Sequence, residues 1–170
     1  MCGIVGYVGA RPALPIVMAG LARLEYRGYD SAGVAMVTPD GALAVAKAAG
    51  ELGRLREKIG DGSALPGSTG IGHTRWATHG SPTTRNAHPH TDSTGRLAVV
   101  HNGIVENAET LRAEVLARGV ETVSDTDSEV VAHLISAAFT AGETAGDLAA
   151  STRAVCRRLE GTFGLLVAHA

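Results

Sequence analysis

The chain has 170 residues, 45% of them hydrophobic and 19% charged, with a formal net charge of −2. That balance fits one globular domain and excludes a disordered tail or a polyanion-binding surface, so neither nucleic acid nor a basic-patch partner is expected. Two cysteines, Cys2 and Cys156, are too far apart for a disulfide framework or a zinc-ligand spacing, and the short, glycine-broken apolar start is neither signal peptide nor membrane span; cytoplasm is the expected compartment.

In chain order, residues 2–9 read as a buried strand whose glycines at 3, 6 and 9 do not match the GxGxxG dinucleotide fingerprint. Leu14, Val17, Met18, Leu21 and Leu24 then fall at helical spacing, with Pro12 and Pro15 confined to the opening turn and Gly28 at the end. Segments 32–38 and 42–48, joined through Pro39-Asp40-Gly41, predict a hairpin. A short polar helix is expected over 51–59 and a Gly/Ser/Pro-rich loop over 61–68. Further strands are expected at 69–76, 96–101 and 120–123, and a last one begins at 162–168.

Helices are predicted over 108–118, 127–140 and 145–159. The middle one has the clearest pattern: Thr126 and Glu129 have the spacing of a capping box, and Val130, Val131, Leu134, Ile135 and Ala138 make one apolar stripe. Hairpins mixed with paired helices predict layered α and β with antiparallel sheet.

Cys2 is small enough for the start methionine to be trimmed, leaving one residue with both a thiol and a free α-amine. Such an amine, with an ordinary pKa of roughly 8, is an available base for a thiol of pKa about 8.5. Polar residues crowd positions 70–107. The run Gly72-His73-Thr74-Arg75-Trp76-Ala77-Thr78-His79-Gly80 is either a strand entering a solvated loop with Trp76 in the core, or a glycine-hinged segment whose Arg75 grips a carboxylate. Five of the seven histidines fall between 73 and 101, yet no spacing matches HExxH and no second cysteine is interleaved, so no metal is expected. Asn102-Gly103 is either a hairpin turn or a pair of oxyanion donors, one amide NH₂ and one backbone N–H. Asp127 either favours its helix N-terminus or holds a substrate ammonium.

Six blocks resemble, in order, the glutaminase domain of the glutamine:fructose-6-phosphate aminotransferases. They are Cys2-Gly3-Ile4-Val5-Gly6, Leu24-Glu25-Tyr26-Arg27-Gly28-Tyr29-Asp30-Ser31-Ala32-Gly33, the 72–80 run, Asn86-Ala87-His88-Pro89-His90, His101-Asn102-Gly103-Ile104-Val105-Glu106-Asn107 and Ser124-Asp125-Thr126-Asp127. These enzymes belong to the class II, N-terminal-nucleophile amidotransferases. The purine branch of that family is less similar, since it prefers Gln at Tyr29 and Tyr at Trp76.

The resemblance implies an α+β fold, a four-layer αββα sandwich of the N-terminal-nucleophile hydrolase type, truncated here at its C-terminal side. Residues 1–170 would be an incomplete glutaminase domain, with the sugar isomerase domains absent. By the same carry-over Cys2 is the nucleophile and its α-amine the base, Asn102 and Gly103 form the oxyanion hole, and Arg75 and Asp127 hold the α-carboxylate and α-ammonium of glutamine. Trp76, Thr78 and His79 lie on the loop that closes over substrate, and Arg27 and His88 support the nucleophile. No cofactor is implied. The implied partners are glutamine, a C-terminal sugar isomerase domain that binds fructose 6-phosphate, and a second copy in a homodimer. A retained Met1 would acylate the proposed base. Two other readings stay open: the glutaminase of another class II amidotransferase, and a silent binding module of the same fold.

Overall fold

The structure, a computed structural model, describes residues 2–76 and 81–170. Strands β1 (Gly3–Val8), β2 (Ser31–Val37), β3 (Leu43–Ala49) and β4 (Thr69–Arg75) form one antiparallel sheet in the order β1-β4-β2-β3. Strands β5 (His90–Thr91), β6 (Leu97–Gly103) and β7 (Phe163–His169) form a second antiparallel sheet in that order.

Three apolar clusters separate four layers. Helices α1 (Ala13–Leu24) and α2 (Leu52–Ile59) cover the outer face of the first sheet, where Val17, Leu21, Leu52 and Leu55 are fully buried against Val34 and Met36. Between the sheets lie Ala35 and Ile71 from one side and Ala98, Val100 and Ala168 from the other. Helices α3 (Ala108–Ala117), α4 (Asp127–Thr140) and α5 (Leu148–Cys156) cover the second sheet through Leu111, Val115, Val130, Ile135 and Val155. The result is the αββα sandwich. Among the described residues no helix is long and apolar enough to cross a membrane.

Strand periodicity determines what faces the site. On β4, Gly72 turns to α1, so close that a Cβ there would lie 2.5 Å from Val17 Cγ1. Ile71 therefore turns to the second sheet, and with a period of two His73 and Arg75 share its face. On β6, Ala98 and Val100 face the first sheet and carry Asn102 with them. Leu97 and Val99 face the helices, as does His101.

Several expectations need correction. Residues 120–123 form no strand; Arg112 instead ties the segment down, with Nη1 on Thr122 Oγ1 and Ser124 O and Nη2 on Thr126 O. The capping box does not form. Thr126 makes no cap hydrogen bond, and its hydroxyl meets His90 Nε2 at 2.9 Å. The Glu129 carboxylate accepts from the N–H groups of Val123 and Ser124 at 2.8 and 2.6 Å, and so anchors the segment before α4. The last helix is shorter than expected because Asp147 caps it, accepting from Ala150 N at 2.8 Å. Strand β5, two residues long, has no sequence pattern to betray it.

Candidate active site

Cys2 precedes β1 and shares the face of Ile4, toward the second sheet. Register Gly3↔Thr74 brings it beside the end of β4, where Trp76 N donates to Cys2 Sγ at 3.1 Å and the thiol reaches Trp76 O at 3.5 Å. Across the gap between sheets, Asn102 Nδ2 donates to Cys2 O at 3.2 Å and Asn102 Oδ1 lies 2.7 Å from His73 Nε2. Two residues 100 positions apart in sequence thus meet through a backbone carbonyl.

Asn102 and Gly103 do not make a hairpin turn. Both lie in β6, paired with Gly164 and Phe163 of β7. Gly103 has φ +124°, and a Cβ there would sit 2.2 Å from Thr162 O. Only glycine fits, for want of space as well as backbone angle.

Asp127 opens α4. Its Oδ2 accepts from Val105 N at 2.9 Å and its Oδ1 from Ser128 Oγ at 3.2 Å, with His101 Nδ1 3.8 Å away. Ser128 is a hub that sequence reading passed over: its hydroxyl also meets His88 Nε2 at 2.7 Å and His101 Nδ1 at 2.9 Å. His88 lies against His73 with ring centroids 4.2 Å apart, and His90 meets His88 edge-on at 4.7 Å. Burial is the main cause that pushes these imidazoles down, His73 to about 4 and His90 to about 3, with His88 well below its usual value and His101 also lowered. They are therefore neutral at physiological pH and serve as hydrogen-bonding struts. Among the described residues no three His, Cys, Asp or Glu side chains gather to hold a metal.

These groups line one cavity of about 740 Å³, whose walls include Cys2, Arg75, Trp76, Asn102, Gly103 and Asp127. Arg75 is buried and its Nη1 reaches Ser81 O at 3.4 Å. Trp76 is not a core residue: it is 52% exposed at the mouth, its indole over Gly28. Of the other candidates, His88 stands in the strut row, and Arg27 has its backbone in a single 3-10 turn, Glu25–Arg27. Met1, Thr78 and His79 lie outside the described residues. Chemically, the cavity offers a thiol, an amide donor beside it, a buried cation and a carboxylate.

Residues 73–170, more than half of the chain, match the family described as the glutamine amidotransferase domain. The chain belongs to that family. The relatives share its whole length: the glutamine–fructose-6-phosphate aminotransferase (isomerizing) of Mycolicibacterium paratuberculosis is 60% identical over 172 residues, covering 100% of this chain and 28% of its own. That of Streptomyces coelicolor is 59% identical over 170 residues, covering 100% and 27%. The chain thus spans little more than a quarter of these curated relatives. Among solved structures, the glutamine phosphoribosylpyrophosphate amidotransferase from B. subtilis, complexed with ADP and GMP, superposes with a TM-score of 0.81 at 28% identity, over 99% of this chain and 35% of that one. A second, the allosteric regulatory enzyme of purine biosynthesis, gives 0.78 at 28% identity, over 98% and 35%. Both likenesses cover nearly all of this chain, and with it β1, β4 and β6, the strands that carry the site.

Proposed function

We propose that this domain hydrolyses glutamine to glutamate and ammonia through a thioester on Cys2. The observation that carries the reading is the Asn102 amide, which crosses from the second sheet to within 3.2 Å of the Cys2 carbonyl, so that a donor stands beside the nucleophile. The Cys2 thiolate attacks the γ-amide carbonyl carbon, and the resulting oxyanion takes hydrogen bonds from Asn102 Nδ2 and Gly103 N–H. The α-amine of Cys2, which took up the thiol proton when the thiolate formed, hands that proton to the departing nitrogen as the C–N bond breaks, and ammonia leaves. Water then cleaves the thioester and glutamate leaves.

In the longer protein, the ammonia is used by a sugar isomerase domain to aminate fructose 6-phosphate, giving glucosamine 6-phosphate. Residues 1–170 supply the glutaminase part of that enzyme. The relatives' name and their greater length support this reading. Glutamate release from the processed chain, measured with and without fructose 6-phosphate, tests it; a chain beginning at Cys2 that releases none would refute it.

Two results follow for the site. Asn102→Ala should lower turnover about 10²–10³-fold with KM little changed, the usual cost of one oxyanion donor; unchanged turnover would leave Asn102 a strand residue. Arg75→Ala and Asp127→Ala should instead weaken glutamine binding, each by at least about 2 kcal/mol, because each strands one charge of the zwitterion in a partly desolvated cavity. Calorimetric titration in a Cys2→Ala background, where no turnover intrudes, reads this directly. Unaltered affinity in both variants would remove them from the substrate site.

A further inference from the structure

Asn102 can serve as an oxyanion donor only if its amide is the right way round. Oxygen and nitrogen ends are nearly the same size, and a half-turn about χ2 would aim Oδ1 at the developing negative charge. Two contacts oppose that turn: Nδ2 donates to Cys2 O at 3.2 Å, and Oδ1 faces His73 Nε2 at 2.7 Å. The contact to His73 is the shorter. A backbone carbonyl and an amide oxygen can only accept, so Nε2 must be the donor. His73 is fully buried, and burial keeps it neutral with its pKa lowered to about 4. It therefore has a single N–H, and Nδ1, which has no partner, carries the lone pair. The ring cannot swing away, because His88 lies against it at 4.2 Å and is itself fixed by Ser128 Oγ at 2.7 Å.

We propose that His73 is a positioning residue whose Nε2–H, bonded to Asn102 Oδ1, turns the Asn102 NH₂ group toward Cys2. One of the two N–H bonds of that group meets the Cys2 carbonyl, and the other is left for the oxyanion. The proposal rests on the glutaminase reading and adds to it a residue that never touches substrate. It also accounts for a fully buried histidine between Ile71 and Arg75 on the inner face of β4.

His73→Leu removes the donor and should lower kcat roughly 10²-fold, while KM changes less than about 3-fold. His73→Gln, whose amide NH₂ reaches a similar place, should restore kcat to within about 10-fold of the native enzyme. The γ-aldehyde analogue of glutamine adds the Cys2 thiol across its carbonyl and places a tetrahedral oxygen in the hole. Its affinity should fall in His73→Leu by the same factor as kcat, and glutamate affinity should not move. A purely structural role would impair Leu and Gln variants alike and raise KM; that result, or native kcat in His73→Leu, overturns the proposal. The tautomer tests it without any variant. Long-range ¹H–¹⁵N spectra of the unliganded protein should place the His73 proton on Nε2, and a proton on Nδ1 overturns the proposal even if both variants fail to fold. An inactive native protein would sink the glutaminase reading instead, and the tautomer would still be informative about His73.

Discussion

Cys2→Ala should abolish glutamate release, a fall of roughly 10⁴–10⁶-fold, the order expected when a covalent nucleophile is removed from an otherwise intact site. Stability should hardly change, because among the described residues the thiol's hydrogen bonds are two with the Trp76 backbone at the mouth of the cavity. Cys156 is the matched control. It ends α5 in the outer helix layer, is absent from the cavity wall, and burial pushes its thiol up rather than down. Cys156→Ala should therefore keep full activity and full capture by an electrophilic glutamine analogue, whereas Cys2→Ala loses both. Labelling of Cys156 by the analogue would refute the assignment.

The same experiment bears on the base. An α-amine acts only in chains that begin at Cys2, so activity should scale with that fraction, read by intact-mass spectrometry alongside the assay. His101 lines the same cavity, but its Nδ1 is committed to Ser128 and strand alternation puts it on the face of β6 opposite Asn102. Full activity from chains that keep Met1 throughout would nonetheless end the amine mechanism.

The helices and the central strands were legible in the sequence because each buries one face against a whole layer. In α1, Ala13, Val17 and Leu21 repeat every fourth residue and are all fully buried; the 31–49 hairpin pairs as its turn residues predict. What failed were features that depend on a partner distant in sequence. Glu129 has capping-box spacing, but Val123 and Ser124 fold back and take the carboxylate first. Residues 120–123 have strand-like composition, but they are held instead by Arg112, which reaches the segment from α3.

The site divides along the same line. Cys2, Arg75, Asn102, Gly103 and Asp127 were legible as chemical types and through family resemblance, and the fold brings all five to one cavity. Ser128 and His73 were not singled out. A serine in the first turn of a helix is ordinary, and its role exists only because His88 and His101 arrive from two other segments. For His73 a signal was available: with period two, residues 71, 73 and 75 share a face of β4, so a histidine beside Arg75 had to point into the same space.

Acid should unfold this protein well before its carboxylates are neutralised. His73, His88 and His90 are buried and neutral in the fold, with pKa values of about 4, well below normal and about 3, whereas the unfolded chain binds a proton at each near pH 6.5. The folded state therefore holds fewer protons in this range, and stability must fall as pH falls. At pH 7 the three contribute almost nothing to the difference. From pH 7 to pH 5 His73 and His90 each cost about 2 kcal/mol, at 1.36 kcal/mol per unit below pH 6.5, and the loss continues toward pH 4. Together these two amount to about 4 kcal/mol, a large part of a typical domain's stability, and His88 acts in the same direction. Glu129 acts later and in the same direction. Burial alone would raise its carboxyl, but the His133 ring and the hydrogen bonds from Ser124 and Val123 outweigh that and hold it at about 2. Its contribution is complete above about pH 4.5 and is lost only as pH falls from there toward 2. Urea unfolding at pH 7, 6 and 5 should thus give a midpoint that drops steeply below pH 6.5, and His90→Gln should remove about a third of that slope. A stability that stays level from pH 7 to pH 5 would mean that the histidine row takes up protons inside the fold, and with it would go the neutral His73 on which the Asn102 orientation depends.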